Sequence, residues 1–484
     1  MYAEYADATY QEEWPYEQYE RTSDIQLPPV MNVLLLAMWI VISLIGFGVI
    51  FLGKNPVAGA VIVAVPTFIG MVIKPTFGLC MMMLVLPTGA GVGFRQIFSL
   101  DRGVGIALAV SFALNLIITR PRLRIGNKAL WVMALYTLWI GLVSLAGPYL
   151  SQEMVRAFTQ VQLLALILIV YWILETNGER TFRWVLRAYI VGTLGTIALT
   201  FITGSAMRAL EDAPEHRYAA TLGEATDANM LATLAVMAFL AAIYLFARDK
   251  SIFWRILYLA AMLVLPVMLL KIGSRGALIA LAFTMLSPLL FLRQVARRPI
   301  LVVLLLIVIL LACASAGVMV KSRGLEAGVA ARLTDVHRAR QAVDYRMTAI
   351  KQAVKSVTIR PTGTSYYGWF ARTGLRHLPH SDFFLALGLY GIPAAILFAL
   401  FVILMMFTVR RIPLGPEKLY ARAILTYLLV MGLNVGQLYQ KHFWVFLAFV
   451  MASERMAKFF TVAPSGSAAQ AQYEADLLPV HQFT

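Results

Sequence analysis

Basic side chains are concentrated in one long hydrophilic segment of an otherwise apolar chain. Residues 321–379 hold eleven lysines and arginines against three acidic residues. Guanidinium groups pair bidentately with phosphate oxygens, so such a segment can form a positive funnel for an anionic substrate. The alternative is a solvated basic loop that lies near anionic lipid headgroups. Charge alone leaves both interpretations open.

Two further residues stand at positions where a polar group can do chemistry. Arg275 lies in Lys271-Ile272-Gly273-Ser274-Arg275-Gly276, at the junction of two apolar runs. An arginine at membrane depth normally faces a polar cavity or a partner, although it can also snorkel to the headgroups. His380 opens a later apolar run, and an imidazole has the near-neutral pKa that suits proton transfer.

A metal site is not expected. His377 and His380 are three residues apart, but Pro379 disturbs the regular helix that this spacing needs. No carboxylate or cysteine completes a ligand set. The sequence also lacks a phosphate-binding loop, a dinucleotide fingerprint and a hydrolase nucleophile elbow. We therefore expect neither a metal nor another cofactor.

Composition requires a membrane around these residues. Of the 484 residues, 60% are hydrophobic and 14% are charged. This is too little polar surface for a water-soluble domain. The net charge of +16 is expected to reside largely in loops that set membrane topology, so no nucleic-acid partner is expected. The two cysteines, Cys80 and Cys313, lie far apart in apolar runs and imply no disulfide framework.

The apolar runs predict an all-α polytopic membrane bundle of about 12–14 transmembrane helices, since each crossing takes about 20 residues. The runs lie at 31–52, 57–73, 76–98, 103–119, 129–149, 157–175, 185–203, 229–247, 256–270, 276–292, 299–320, 382–408, 421–437 and 442–461. Residues 31–463 therefore form the membrane domain, and 321–380 form a large periplasmic loop. We expect disordered cytoplasmic tails at 1–30, which is acidic and tyrosine-rich, and at 464–484. Docking or tyrosine phosphorylation is the alternative interpretation of the first tail.

Basic clusters between the runs predict the orientation. They are Arg120 to Arg124, Arg180 to Arg187, Arg248 to Arg255, Arg293 to Arg298 and Arg410 to Lys418. Placing both termini in the cytoplasm puts every cluster on the inner side, as the positive-inside rule requires. The loops 204–228 and 321–379 then face the periplasm, and with them Arg217, Arg275, Arg346 and His380.

Four segments in order resemble the pattern of the O-antigen ligase and bacterial polysaccharide polymerase superfamily. They are Arg217 with Asn229, then Ser274-Arg275-Gly276, then Arg346 through Pro361-Thr362-Gly363, then His380-Ser381-Asp382 through Gly388 and Gly391. The resemblance covers about Arg187 to Lys458, and the earlier runs match in hydropathy only. Ser381 and Thr364 depart from the usual asparagine and glycine.

The resemblance implies glycan transfer from a polyprenyl-pyrophosphate carrier at the periplasmic face of the bacterial inner membrane. Arg217, Arg275 and Arg346 would stabilise the charge that develops on the pyrophosphate. His380 would accept or orient the proton of the attacking sugar hydroxyl. Asn229, Ser274, Gly363 and Asp382 would complete the substrate site, and the apolar helices would hold the polyprenyl tail. Membrane lipids are a further expected partner.

Three functions remain open at this stage. A polymerase of exopolysaccharide or O-antigen, which we favour, would use another lipid-linked glycan as acceptor, and a ligase would use lipid A-core. Chain-length regulator and flippase proteins are expected partners of the polymerase. A transporter of polysaccharide or lipid-linked glycan is the alternative from a different class. It would carry its ionisable residues near the bilayer midplane.

Overall fold

The computed structural model describes residues 24–25, 28–51, 56–88, 100–120, 126–202, 220–221, 224–225, 228–287, 336–375 and 377–462. Several expectations therefore lie outside the described residues. They are the placement of Arg217, the apolar run at 299–320, nearly all of the 1–30 tail, the 464–484 tail, and the basic residues at 121–124 and 293–298.

The described chain is helical apart from one two-stranded hairpin, which confirms the all-α class. The helices are α1 (Pro29–Phe51), α2 (Pro56–Ile73), α3 (Pro75–Val85), α4 (Leu100–Thr119), α5 (Lys128–Leu145), α6 (Leu150–Ile202), α7 (Ala228–Arg248), α8 (Ile252–Ile272), α9 (Arg275–Leu286), α10 (Val336–Ile359), α11 (Tyr366–Thr373), α12 (Asp382–Arg411), α13 (Pro416–Asn434) and α14 (Lys441–Val462). A 3₁₀ turn, Leu86–Thr88, follows α3. Strands β1 (Ala220–Thr221) and β2 (Glu224–Ala225) pair antiparallel.

Six of the described helices are long and apolar enough to cross a membrane: α4, α5, α6, α7, α8 and α12. Shorter apolar helices, among them α9, stand beside them. Many apolar side chains on these helices remain exposed, for example Leu138 and Ile396, because lipid rather than protein can cover them. The chain is a multi-pass membrane protein.

The sixth and seventh expected runs form two helical segments within α6 (Leu150–Ile202). The segments are separated by a break at Gly178, which has the non-helical backbone angles φ +69° and ψ −160°. Hydropathy placed the start at 157 because Ser151, Gln152 and Glu153 are polar. The helix includes them because the Glu153 carboxylate, although buried, is satisfied by amides of a distant segment.

The expected large loop contains two helices that hydropathy did not predict. α10 packs on α12 through small side chains, with Ala349, Ala353 and Ser356 buried and Arg340, Lys351 and Lys355 exposed. α11 is short and buries Trp369 completely. Since both helices are too polar to be found by a search for apolar runs, they are visible only through the contacts they make.

The ends of the bundle differ in chemistry. Arg187 pairs with Asp249, Arg248 with Glu417 and Arg455 with Glu175, which joins α6, α7, α13 and α14 at one end. Arg187 also lies between the rings of Trp184 and Trp254, 4.6 Å from each centroid. The candidate residues that the structure describes lie at the opposite end of the bundle, for example Asn229 at the start of α7. The basic clusters at 180–187, 248–255 and 410–418, which the structure describes, are thus separated from the candidate site by the length of the bundle.

Candidate functional site

A cavity of about 400 Å³ opens among helix ends and loops at the end of the bundle opposite these ion pairs. This volume lies within the range of about 300–1,000 Å³ that is typical of ligand sites. Its described lining residues are Arg156, Asn229, Met230, Thr233, Tyr366, Phe370, His377, Leu378, Pro379, His380, Leu385, Val435, Gly436, Gln437, Tyr439, Gln440 and His442. They include one arginine and three histidines and no carboxylate, so the cavity favours an anionic or neutral polar ligand over a cation.

Asn229 enters the cavity from the first turn of α7, and Ser274 fixes its orientation. The Ser274 hydroxyl donates a hydrogen bond of 2.7 Å to Oδ1 of Asn229. The same hydroxyl caps α9 by accepting from the amide of Ala277 at 3.3 Å. Ser274 is 2% exposed. The structure therefore places Asn229 at the site, and places Ser274 behind it as a residue that orients Asn229.

Arg275 and Arg346 lie beside the cavity but are not among its described lining residues. Arg275 is the first residue of α9, next to Ser274. Arg346 donates from Nη1 to Oδ1 of Asn434 at 3.4 Å, and Asn434 is followed directly by Val435 and Gly436 of the wall. Burial lowers the pKa of the Arg346 guanidinium below its ordinary value. Both arginines are half-buried. Ser274 stands between Arg275 and the cavity residue Asn229, and Asn434 stands between Arg346 and Val435.

Asp382 supports the cavity wall rather than lining it. Its Oδ1 accepts the backbone amide of Gln437 at 2.5 Å and that of Leu438 at 3.0 Å. The carbonyl of Leu438 in turn accepts from Trp444 Nε1 at 2.9 Å and from Gln160 Nε2 at 3.3 Å. The run expected at 421–437 accordingly ends its helix at Asn434. The last three residues leave the helix because Asp382 binds the amides of this segment from outside it.

Gly363 has a packing role in the structure. The turn Pro361-Thr362-Gly363 docks where α12 is interrupted at Gly391, which has φ +78°. Ile392 donates to the Pro361 carbonyl at 2.8 Å, and the amides of Thr364 and Ser365 donate to the Leu389 carbonyl at 2.9 and 2.8 Å. A Cβ on Gly363 would lie 2.5 Å from the Tyr390 carbonyl carbon. The third and fourth motifs thus meet, and the turn satisfies backbone groups that the broken helix leaves open.

Glu153 connects this turn to the cavity. Its carboxylate accepts the Ser365 hydroxyl at 2.5 Å and the amides of Tyr366 and Tyr367 at 3.1 and 2.7 Å, at the start of α11. A carboxylate at a helix N-terminus satisfies amides that have no partner within the helix. One turn further along α6, the Arg156 guanidinium carbon lies 4.3 Å from the Tyr366 ring centroid. Glu153 thereby positions the aromatic partner of Arg156.

Both histidines near the fourth motif line the cavity. The ring of His377 stacks on Tyr345 of α10, with centroids 3.5 Å apart, and His380 lies 6.2 Å from the same tyrosine ring. Trp369 Nε1 donates to the His377 carbonyl at 3.1 Å and so holds this segment in place. Burial lowers the pKa of His377 below its ordinary value of 6.5, which keeps the imidazole neutral at neutral pH. The basic segment therefore contributes Tyr345 to the site through α10.

The chain matches no protein-family model, and no curated protein matches it. The resemblance to the ligase and polymerase superfamily rests on the four motifs alone.

Sequence reasoning missed several residues that the structure brings to the cavity. They are Arg156, Tyr366, Phe370, Gln437 and Tyr439. Arg156 is the one with a sequence signal, since it is an arginine just before an apolar run. The others become visible only when α6, α11 and the segment after α13 come together.

No group of three or more His, Cys, Asp or Glu side chains is arranged as a metal site among the described residues. His377, His380 and His442 all line the cavity without forming such a group. Independence from a metal remains a prediction from the sequence.

Proposed function

We propose that this protein transfers glycan units from a polyprenyl-pyrophosphate carrier at the periplasmic face of the bacterial inner membrane, as a polymerase of exopolysaccharide or O-antigen. The observation that carries the proposal is the cavity at one end of a membrane bundle, lined by Arg156, Asn229 and three histidines and by no described carboxylate. Such a lining suits a ligand that carries both phosphate and hydroxyl groups.

The place of the cavity along the helices supports transfer over transport. Its lining residues come from helix starts and connecting segments, for example Asn229 in the first turn of α7 and His380 just before α12. A transporter site is expected near the bilayer midplane, at interrupted helices. A lipid-linked glycan, by contrast, presents its pyrophosphate at the level of the headgroups, where helix ends lie.

The proposed mechanism divides the work between arginines and an imidazole. Arg156 faces the cavity directly, while Arg275 and Arg346 add positive charge from behind its wall, and together they stabilise the pyrophosphate that leaves. Arg217 keeps its expected role in this proposal. His380 takes the proton of the acceptor hydroxyl as its oxygen attacks the anomeric carbon and the bond to the pyrophosphate breaks. No cofactor enters the scheme.

The test uses purified protein in lipid nanodiscs with a polyprenyl-pyrophosphate oligosaccharide from the host, and products are separated by size. Wild type is expected to give a ladder, and Arg156→Ala, Arg275→Ala and His380→Ala to lose at least tenfold in rate, which corresponds to about 1.4 kcal/mol of transition-state stabilisation. Arg255→Ala, at the opposite end of the bundle, is the matched control and should keep the ladder.

Three other results would change the conclusion. A single added glycan seen only with lipid A-core would make the protein a ligase, the alternative within the same superfamily. Full activity of folded Arg275→Ala would refute its part in the mechanism. No product with either acceptor, from protein shown to be folded, would contradict glycan transfer and favour a transporter.

A further inference from the structure

Gln437 is a lining residue of the cavity whose side-chain amide is buried without a described partner. The residue is 2% exposed and lines the cavity, yet neither Oε1 nor Nε2 has a hydrogen-bond partner among the described residues. A buried amide without partners costs free energy, and such groups are rare in folded proteins. A group of this kind in a ligand-sized cavity is expected to be satisfied by the ligand.

The backbone around Gln437 is held firmly, so its side chain is not misplaced by a loose loop. Asp382 Oδ1 accepts the amides of Gln437 and Leu438, and the Gln437 carbonyl accepts the amide of Gln440 at 2.8 Å. Binding sites depend on such rigid support, because a side chain fixed in advance loses less entropy when the ligand binds.

The chemistry of the amide identifies the class of ligand group. A phosphate oxygen can only accept hydrogen bonds, and so it would satisfy Nε2 of Gln437 and leave Oε1 without a donor. A sugar hydroxyl both donates and accepts, and neighbouring hydroxyls on one ring can serve both amide atoms. Nε2 of His377 is a second buried polar atom without a described partner in this lining.

Aromatic side chains complete a surface that fits a sugar ring. Phe370 and Tyr439 line the cavity beside Tyr366, with ring centroids 5.4 and 5.9 Å from that of Tyr366. Aromatic rings provide rigid apolar area for the C–H face of a ring, while polar groups at the edge fix its orientation. Arg156 lies over Tyr366 in the same wall.

We propose that Gln437, together with His377 and the Phe370 and Tyr439 rings, forms a subsite that binds a sugar ring of the glycan through its hydroxyl groups. This inference rests on the proposed function, because it places the glycan in the same cavity. It goes beyond that function because it assigns sugar hydroxyl groups to one part of the cavity and the pyrophosphate to another.

The test compares Gln437→Met with wild type in nanodiscs, using two probes. One is the free oligosaccharide released by mild acid from the host carrier, and the other is undecaprenyl pyrophosphate without sugar. Gln437→Met should weaken binding of the oligosaccharide about tenfold, the loss that a missing pair of hydrogen bonds produces. It should leave the affinity for undecaprenyl pyrophosphate unchanged. Gln352→Met, on α10 and outside the described cavity lining, is the matched control.

A second readout separates a binding role from a structural one. Replacing an unsatisfied buried amide with an apolar side chain of similar shape should leave the thermal unfolding midpoint of the ligand-free protein unchanged or raise it. Unchanged oligosaccharide binding by Gln437→Met would overturn the inference, and so would an equal loss for both probes. A lowered midpoint would show a structural role and also overturn it.

Failure of this inference differs from failure of the proposed function. If wild type makes the product ladder and Gln437→Met binds the oligosaccharide as tightly as wild type does, the subsite alone is refuted. A wild-type protein that binds the free oligosaccharide through Gln437 but forms no product keeps the subsite and refutes transfer.

Discussion

Several side chains at the cavity are held in position by hydrogen bonds from residues behind them. Asn229 is oriented by Ser274, and Tyr366 is held at the cavity because Glu153 binds its amide. Arg156 adds a cation next to that tyrosine. Of the residues expected from sequence, Asn229 and His380 face the cavity directly, and Ser274, Asp382 and Gly363 support its walls.

His377 makes stability depend on pH in a predictable direction. Burial lowers its pKa, so between the lowered value and 6.5 the unfolded chain binds more protons than the folded protein. Stability should therefore rise with pH through this range, and fall as the pH drops below about 6.5. The measurement is the thermal unfolding midpoint in detergent at several pH values.

His377→Asn is the comparison for this prediction. Because His380 and His442 also line the cavity, the contribution of His377 is the difference between the two pH profiles. That difference should grow as the pH falls below 6.5, with wild type losing more. Parallel profiles would show that His377 takes up no proton on unfolding in this range.

At the scale of elements, the docking of the Pro361-Thr362-Gly363 turn against α12 is the most sharply defined feature. A Cβ on Gly391 would lie 2.2 Å from the Pro361 carbonyl oxygen, in addition to the cost of φ +78° for an alanine. Gly374 has φ +67°, but a Cβ added there would have no neighbouring atom within 4 Å. Gly391 also has ψ −170°, a backbone region that is essentially restricted to glycine, whereas Gly374 has ψ 0° in the ordinary left-handed region.

Gly391→Ala should lower the thermal unfolding midpoint more than Gly374→Ala does. The alanine at 374 is expected to cost about 1 kcal/mol from its backbone conformation. The alanine at 391 should add about 1–3 kcal/mol because the turn must move. Unfolding midpoints in one detergent give the comparison, and equal losses would contradict the close docking.

The sequence predicted elements well where hydropathy decides them and poorly where distant contacts do. α7 starts at Ala228, one residue before the expected 229, and α12 starts at Asp382, as expected. The sequence placed Arg156 in a loop between two spans, because the polar residues 151–153 moved the expected start of the next span to 157. Gln437 was placed in a span because an isolated glutamine does not interrupt an apolar run. In the structure the helix ends at Asn434, and Asp382, 55 residues away in sequence, binds the amide of Gln437 beyond that end.

For the whole molecule, the division into two ends is the main result. Basic clusters at 180–187, 248–255 and 410–418 lie at the ends of helices opposite Asn229, Arg275 and His380. Under the positive-inside rule the ion-paired end faces the cytoplasm, and the cavity faces the periplasm. Orientation itself remains a prediction.

Single cysteines test this orientation in a background with Cys80→Ala and Cys313→Ala. Thr362→Cys lies on the exposed turn at the cavity end, and Ser251→Cys lies on an exposed loop at the other end. In spheroplasts, a membrane-impermeant maleimide should label Thr362→Cys directly and Ser251→Cys only after the membrane is broken. The reverse pattern would contradict the proposed orientation.

Blocking the cavity after folding tests the central claim most directly. Met230→Cys places a thiol on a half-buried residue that lines the cavity and has no assigned role, and Ser251→Cys is the matched control at the far end. Each variant, in the same cysteine-free background, is assayed for the glycan product before and after reaction with a bulky maleimide. We predict that labelling Met230→Cys abolishes its product ladder, while labelled Ser251→Cys keeps its own. Full activity of completely labelled Met230→Cys would contradict glycan transfer in this cavity.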